Sequence, residues 1–236
     1  MEKFVIITGG GSGSRMQHEL PKQFLEVDGT PIIFLSIAAF TQYNPNIHLI
    51  ITLPKSYFDY WHALLLKHQF NPIHTLVEGG FTRFQSIKNA LTFVPKKSLV
   101  AIHDAVRPFV SAEVIANAFC QAAMDGSAIP VIPVQDSIRK INTNENIILS
   151  REEIYSVQTP QVFWSSKLID AYQVEELHSF TDDASVYENS KNSITSIEGN
   201  RENIKITTPI DLVIANAFSN QLIHHPSFPQ ISWFKR

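Results

Sequence analysis

The sequence predicts an α/β fold: a mostly parallel twisted sheet with helices on both faces, Rossmann-like in its layering. Two observations predict it. Short apolar, β-branched runs at residues 3–8, 48–53, 73–77 and 99–103 read as buried strands. Longer stretches of helical period lie between them, at residues 31–42, 57–69 and 82–94. Parallel neighbours need crossover helices, and the helices cover both faces of the sheet. Strands covered on both sides become near-continuous apolar runs.

The elements follow in order. The first strand leads directly into Gly9-Gly10-Gly11-Ser12-Gly13, so it is a strand running into a turn and not a signal peptide. Thr82 with Gln85 fits a capping box at the start of a helix. Thr208, Pro209 and Asp211 fit an N-cap, a proline at the first helical position and an acid near the positive end of the helix dipole. Between residues 135 and 150 the rhythm breaks. Ser137 to Ile141 alternates polar and apolar, residues 142–146 are turn-like, and Ile147-Ile148-Leu149 follows. This reads as a protruding β-hairpin, and a lone hairpin is marginal in water. A second copy of the chain is the expected support, making the hairpin a dimerisation arm. Residues 203–207 read as a strand with Ile204 and Ile206 on one face and Asn203, Lys205 and Thr207 on the other. The tail from His224 carries no assignable element.

Composition narrows the function. At 236 residues with 44% hydrophobic side chains, the chain buries a core without difficulty. A net charge of −3 gives no global basic field for nucleic acid. No run approaches about 18 apolar residues, so no membrane span is expected and a cytoplasmic location is the default. The one cysteine, Cys120, forms no intrachain disulfide and reads as a buried structural thiol. Nine histidines are present, but H-E-x-x-H is absent, and no metal site is expected on protein ligands. His62 and His68 read as surface residues of an amphipathic helix. His103 and Asp104 are adjacent in a strand and point to opposite faces, which is poor geometry for a catalytic dyad.

The chemistry concentrates where strands end. The turn after the first strand carries Arg15, and Pro21-Lys22-Gln23 follows closely. It fits neither the P-loop, which needs Gly-Lys, nor G-x-G-x-x-G, whose sixth position is Ser14 or Met16 here. A glycine-rich turn lets backbone N–H groups approach a ligand, and Arg15 and Lys22 can face one polyanion. Gly79-Gly80-Phe81-Thr82-Arg83 follows a strand and opens a helix. His103-Asp104-Ala105-Val106-Arg107-Pro108 ends the fourth strand. In open α/β sheets, ligands bind outside the carboxyl ends of such strands.

Taken together, the segments resemble the IspD family, the 2-C-methyl-D-erythritol 4-phosphate cytidylyltransferases. The resemblance rests on a Gly-rich loop with Arg15-Met16, Pro21-Lys22-Gln23, Gly79-Gly80-x-x-Arg83-x-x-Ser86, His103 to Pro108, Gln158-Thr159-Pro160-Gln161, Thr181 to Ser185 and Asn203 to Thr207, all in register. It implies a single nucleotidyltransferase domain (GT-A-like) over residues 1–236 with an arm at about 135–150. It implies CTP and a polyol phosphate as substrates. Arg15, Lys22 and Lys205 would be catalytic, neutralising the reacting phosphates. Gly9, Gly10, Gly11, Gly13, Gly80, Arg83 and Ser86 would bind CTP. Asp104, Arg107, Ser137, Arg151, Thr159 and Thr181 would bind the second substrate, with Arg107, Ser137 and Arg151 reaching in from the partner of a homodimer. Mg²⁺ would be held mainly by the CTP phosphates.

Some positions depart from the family pattern. Gly9 and Gly10 replace alanines, Phe81 replaces an acid, and Ser14 replaces a frequent cation. Ribitol 5-phosphate cytidylyltransferases share much of the pattern and are the nearest alternative, which Phe24 and Val106 fit. Asp183, Ala184, Ser185 and Arg151 fit the methylerythritol group better. A non-catalytic nucleotide sensor on the same fold is a remoter alternative, and it would lack the cations at the reacting phosphates.

Overall fold

Lys3–Thr8 forms the first strand, β1, and its side chains divide between two cores. Val5 and Ile7 face one, Phe4 and Ile6 the other, as the period of two requires. The structure is a computed structural model describing residues 1–10 and 20–222. After β1 a short ribbon, β2 (Glu26–Val27) and β3 (Thr30–Pro31), leads into α1 (Ile32–Tyr43). Its turn is Asp28-Gly29, with φ of 49° and 76°, the left-handed pair that a two-residue hairpin favours. Then β4 (His48–Leu53), α2 (Phe58–Lys67), β5 (His74–Glu78), α3 (Arg83–Leu91), β6 (Leu99–Asp104), α4 (Ala112–Asp125) and β7 (Ser127–Pro133) alternate. The rest of the described chain is β8 (Ile138–Ile141), β9 (Asn146–Leu149), β10 (Tyr155–Val157), β11 (Gln161–Trp164), α5 (Ser165–Ala171), α6 (Asp183–Asn189), β12 (Ser196–Glu198) and α7 (Pro209–Leu222).

The sheet runs β10-β7-β11-β6-β1-β4-β5, with β12 also paired to β7. Strands β6, β1, β4 and β5 are parallel, and β11 enters antiparallel between β6 and β7. The chain leaves β1 toward β4 and β5, then crosses to β6 on the other side. That reversal places a crevice at the carboxyl ends of β1 and β6. Helices α1, α2 and α4 cover one face through Phe34, Phe40, Trp61 and Phe119; α3 and α6 cover the other through Phe84, Ile87 and Tyr187. Ile7 is fully buried, and its truncation to Ala would cost about 2–5 kcal/mol. Among the described residues no helix is long and apolar enough to cross a membrane.

The expected strands and helices are present, with corrections. Apart from buried Val77, the residues of β5 are exposed or half-buried, because β5 ends the sheet and is not an interior strand. Cys120 is exposed. The buried stripe of α4 runs through Val114, Ile115, Ala118, Phe119 and Ala122, and position 120 turns away from it. Residues 203–207 pair in no ladder: Asn203 and Ile206 are buried, and the segment is extended chain laid against the turn after β6. His68 is mostly covered, its ring edge-on to Phe34. At α7, Pro209 is the first helical residue after Thr208, as expected, and Asp211 in the first turn reaches back: its Oδ2 accepts from the N–H groups of Thr207 and Thr208 and from the Thr208 hydroxyl. The capping box at α3 is split, since Thr82 accepts from Gln85 N but Gln85 Oε1 accepts from Phe81 N.

Candidate active site

At the end of β1 the chain turns at Gly9, whose N–H donates to Thr52 O (3.0 Å) and whose carbonyl accepts from Gln23 Nε2 (2.6 Å). The helical turn at Lys22–Phe24 buries Gln23 and Phe24 and leaves Lys22 lining a cleft of about 320 Å³. Gly9, Gly10, Arg83, Ser86, Asp104 and Lys205 line the same cleft.

Asp104 is its focus. Its Oδ2 lies 3.0 Å from Lys205 Nζ and 3.4 Å from Arg107 Nε, and its Oδ1 lies 3.6 Å from Arg83 Nε. Burial alone would raise the Asp104 carboxyl; Arg83, Lys205 and Arg107 outweigh it and hold the group well below the usual carboxylate range. Arg83 is also gripped from behind. Its Nη1 donates to Asp183 Oδ1 (3.0 Å) and its Nη2 to Oδ2, a bidentate pair with a fully buried carboxylate. Tyr172 donates its hydroxyl to the same Asp183 at 2.6 Å. Three cations thus meet two carboxylates, leaving net positive charge beside Lys22. Such a cluster attracts anions.

A chain of hydrogen bonds sets the floor beneath Asp104. The Arg107 carbonyl can only accept, so His103 Nε2 carries the proton and donates to it (3.0 Å). His103 Nδ1 is then the acceptor for the Thr159 hydroxyl (3.1 Å), which in turn accepts from Asp104 N (3.1 Å). Burial pushes His103 down to about 4, which keeps the ring neutral. Asn203 closes the floor: its Nδ2 donates to Thr159 O and its carbonyl accepts from Arg107 Nη1, both at 2.8 Å. Buried Ile206, whose N–H donates to Val106 O (2.9 Å), anchors Lys205 at the rim.

The wall after β5 is equally fixed. Ser86 Oγ donates to Thr82 O (2.8 Å) and accepts from Gly80 N (3.0 Å). A Cβ on Gly80 would come within 2.2 Å of Gln85 Cβ, so this approach requires glycine.

A family model described as IspD, 2-C-methyl-D-erythritol 4-phosphate cytidylyltransferase, matches residues 3–221. The chain belongs to the IspD family. A cytidylyltransferase of that name from Azobacteroides pseudotrichonymphae is 48% identical over 92% of this chain and 98% of its own length. One from Bacteroides fragilis is 44% identical over 92% and 99%. Among solved structures, 4-diphosphocytidyl-2C-methyl-D-erythritol synthase from Anaerococcus prevotii superposes with a TM-score of 0.79 at 26% identity, covering 93% of this chain and 96% of that one. The Thermus thermophilus cytidylyltransferase gives 0.74 at 29%, covering 93% and 100%.

Within this IspD-family site, the residues anticipated from sequence fall into distinct places. Lys22, Lys205, Gly9, Gly10, Arg83, Ser86 and Asp104 share the cleft, and Gly80 borders it through Ser86. Arg15, Gly11 and Gly13 lie outside the described residues. Thr159 lies under Asp104 with its hydroxyl engaged on both sides, and Thr181 is exposed, its N–H on Ser185 Oγ. Arg107, expected to reach in from a partner, donates within its own chain to Asp104 and to the Asn203 carbonyl. Ser137 is exposed just ahead of β8, and Arg151 pins the arm's base by donating to Gln135 O (2.6 Å). Sequence reasoning gave no role to Asp183, Tyr172, Gln23 or Asn203. Asp183, Gln23 and Asn203 sit inside the motifs quoted above, which was the available signal; Tyr172 lies outside them and had none.

Proposed function

We propose that the protein transfers CMP from CTP to 2-C-methyl-D-erythritol 4-phosphate. A phosphate oxygen of the polyol attacks the α-phosphorus of CTP, a new phosphoanhydride forms, the bond to the bridging αβ oxygen breaks, and pyrophosphate leaves. The observation that carries this is the convergence of Lys22, Arg83 and Lys205 on a cleft whose carboxylate, Asp104, is already neutralised. Two anions must be brought together, so the protein's work is alignment and charge neutralisation. In this reading Lys22 and Lys205 flank the reacting phosphates with Arg15, and Asp104 takes substrate hydroxyls, supported by Thr159 and near Thr181. Gly9, Gly10, Gly80 and Ser86 shape the nucleotide's seat, with Gly11 and Gly13.

Magnesium fits as a counter-ion on the triphosphate. Asp104 is engaged by cations, so the described residues lining the cleft offer the ion no uncommitted carboxylate. When bound, the ion would neutralise phosphate charge and ease the departure of pyrophosphate.

The reading includes a homodimer. Ile141, Ile147 and Ile148 of the β8–β9 arm are exposed, as are Tyr155 and Val157. Covering such a surface fits a second copy, and Ser137 and Arg151 would then approach the neighbour's cleft. A cytoplasmic location, where CTP is available, completes it. The relatives named above are methylerythritol phosphate cytidylyltransferases, which favours that substrate over ribitol 5-phosphate, and the sensor alternative sits poorly with the retained Lys22 and Lys205. The deciding experiment is CTP-dependent pyrophosphate release over a panel of polyol phosphates. Release with methylerythritol phosphate alone is the expected result, and release with ribitol 5-phosphate instead would overturn the substrate assignment.

A further inference from the structure

Phe81 lines the cleft with its side chain fully exposed, and no ring or cation partner faces it among the described residues. An exposed phenyl ring is unremarkable on a mobile loop, but the loop bearing this one is fixed. The Phe81 N–H donates to Gln85 Oε1 (3.0 Å), and Gly80 before it is pressed against Gln85. Thr82 after it caps α3, and its hydroxyl donates to Glu176 Oε2 (2.8 Å). A rigid root with a free aromatic face is the form that stacking platforms take.

The sheet order says what the ring meets. Phe81 follows β5, Asp104 ends β6, and β4 and β1 lie between them. Three strand spacings separate those ends by about 14 Å. The cations gather on Asp104, while the walls toward β5 are the uncharged Gly10, Thr82 and Ser86. A nucleotide has the same polarity, with phosphates at one end and a flat uncharged base at the other. We infer that Phe81 stacks on the pyrimidine of the bound nucleotide and contributes to choosing it. The inference rests on the nucleotide-transfer reading above.

The test compares wild type with Phe81→Ala and Phe81→Trp, using CTP and inorganic tripolyphosphate, which has no base. Phe81→Ala is expected to weaken CTP binding by calorimetry, and to raise its KM, about tenfold, within the range of a lost base–aromatic stack. Phe81→Trp is expected to restore both values. Inhibition by tripolyphosphate should stay within twofold in all three proteins, because the ring touches only the base. Wild type that binds no CTP would sink the nucleotide reading itself. Wild type that binds CTP, with Phe81→Ala binding it equally well, would sink only the stacking. Equal losses for CTP and tripolyphosphate would also overturn it, since Phe81 would then be acting through the loop.

Discussion

The Asp104 carboxylate lies 3.0 Å from the Lys205 ammonium, a contact between the end of β6 and the extended segment before α7. The Lys205 side chain is 41% exposed, so the pair contributes little to stability in water. Lys205→Ala should therefore melt within a few degrees of wild type while turnover falls on the order of 10²-fold. Steady-state pyrophosphate release beside a thermal unfolding curve checks this. Near-normal turnover would remove Lys205 from the mechanism.

Lys22 lines the same cleft, on the side proposed for the nucleotide. Its replacement by Ala should lower turnover on a similar scale, on the order of 10²-fold, with the fold intact. Circular dichroism and initial rates at saturating CTP suffice to see it.

Asp183 acts through Arg83. Asp183→Asn leaves Arg83 with one good acceptor fewer in a buried place, a loss of about 3–5 kcal/mol in unfolding free energy. Tyr172→Phe removes one hydrogen bond to the same carboxylate and should cost about 1–3 kcal/mol. Urea unfolding measures both. If the two substitutions leave stability unchanged, Arg83 is not held from behind in the manner described.

His103 makes a prediction in pH. Its ring ordinarily titrates at 6.5 and is lowered to about 4 in the fold, so the unfolded chain binds the proton first as pH falls. The stabilisation is fully present above about pH 6.5 and drains away between 6.5 and 4, by roughly 3 kcal/mol in all. His68, lowered as well, acts in the same direction. An NMR titration should show the His103 ring unchanged from pH 8 to 5. A midpoint near 6.5 would contradict the buried neutral tautomer.

The arm makes a prediction in assembly. Ile148 is 70% exposed in the single chain, so Ile148→Glu should leave each chain folded and break the pair. Sedimentation should show a dimer for wild type and a monomer for the variant, with turnover lost in the latter. An active wild-type monomer would refute the proposed sharing of Ser137 and Arg151.

Much of the fold was legible because strand and helix periods differ so clearly. The run Phe4-Val5-Ile6-Ile7 serves both faces of the sheet and reads as a buried strand at sight. What failed was information that only neighbours hold. The run that became β5 resembles an interior strand, but nothing in its residues says that among the described strands it pairs with β4 alone. Cys120 sits in an apolar stretch, yet its exposure depends on which stripe of α4 meets the sheet. Within the site, Arg83 and Asp104 were visible because they lie at or just after the carboxyl ends of strands, where open α/β sheets bind ligands. Asp183 went without a role although its motif was noted, since it touches only Arg83 and Tyr172 within the cluster.

The floor beneath Asp104 is stitched from three distant stretches: Thr159 from the approach to β11, Asn203 from the approach to α7, and His103 and Arg107 around the end of β6. A nascent chain that has emerged only as far as β9 therefore has Asp104, His103 and Arg107 but lacks Thr159, Asn203 and Lys205 around them. Turnover becomes available only once the last quarter of the polypeptide has been made and docked. Recovered activity during refolding is accordingly a late clock, reporting completion and not collapse.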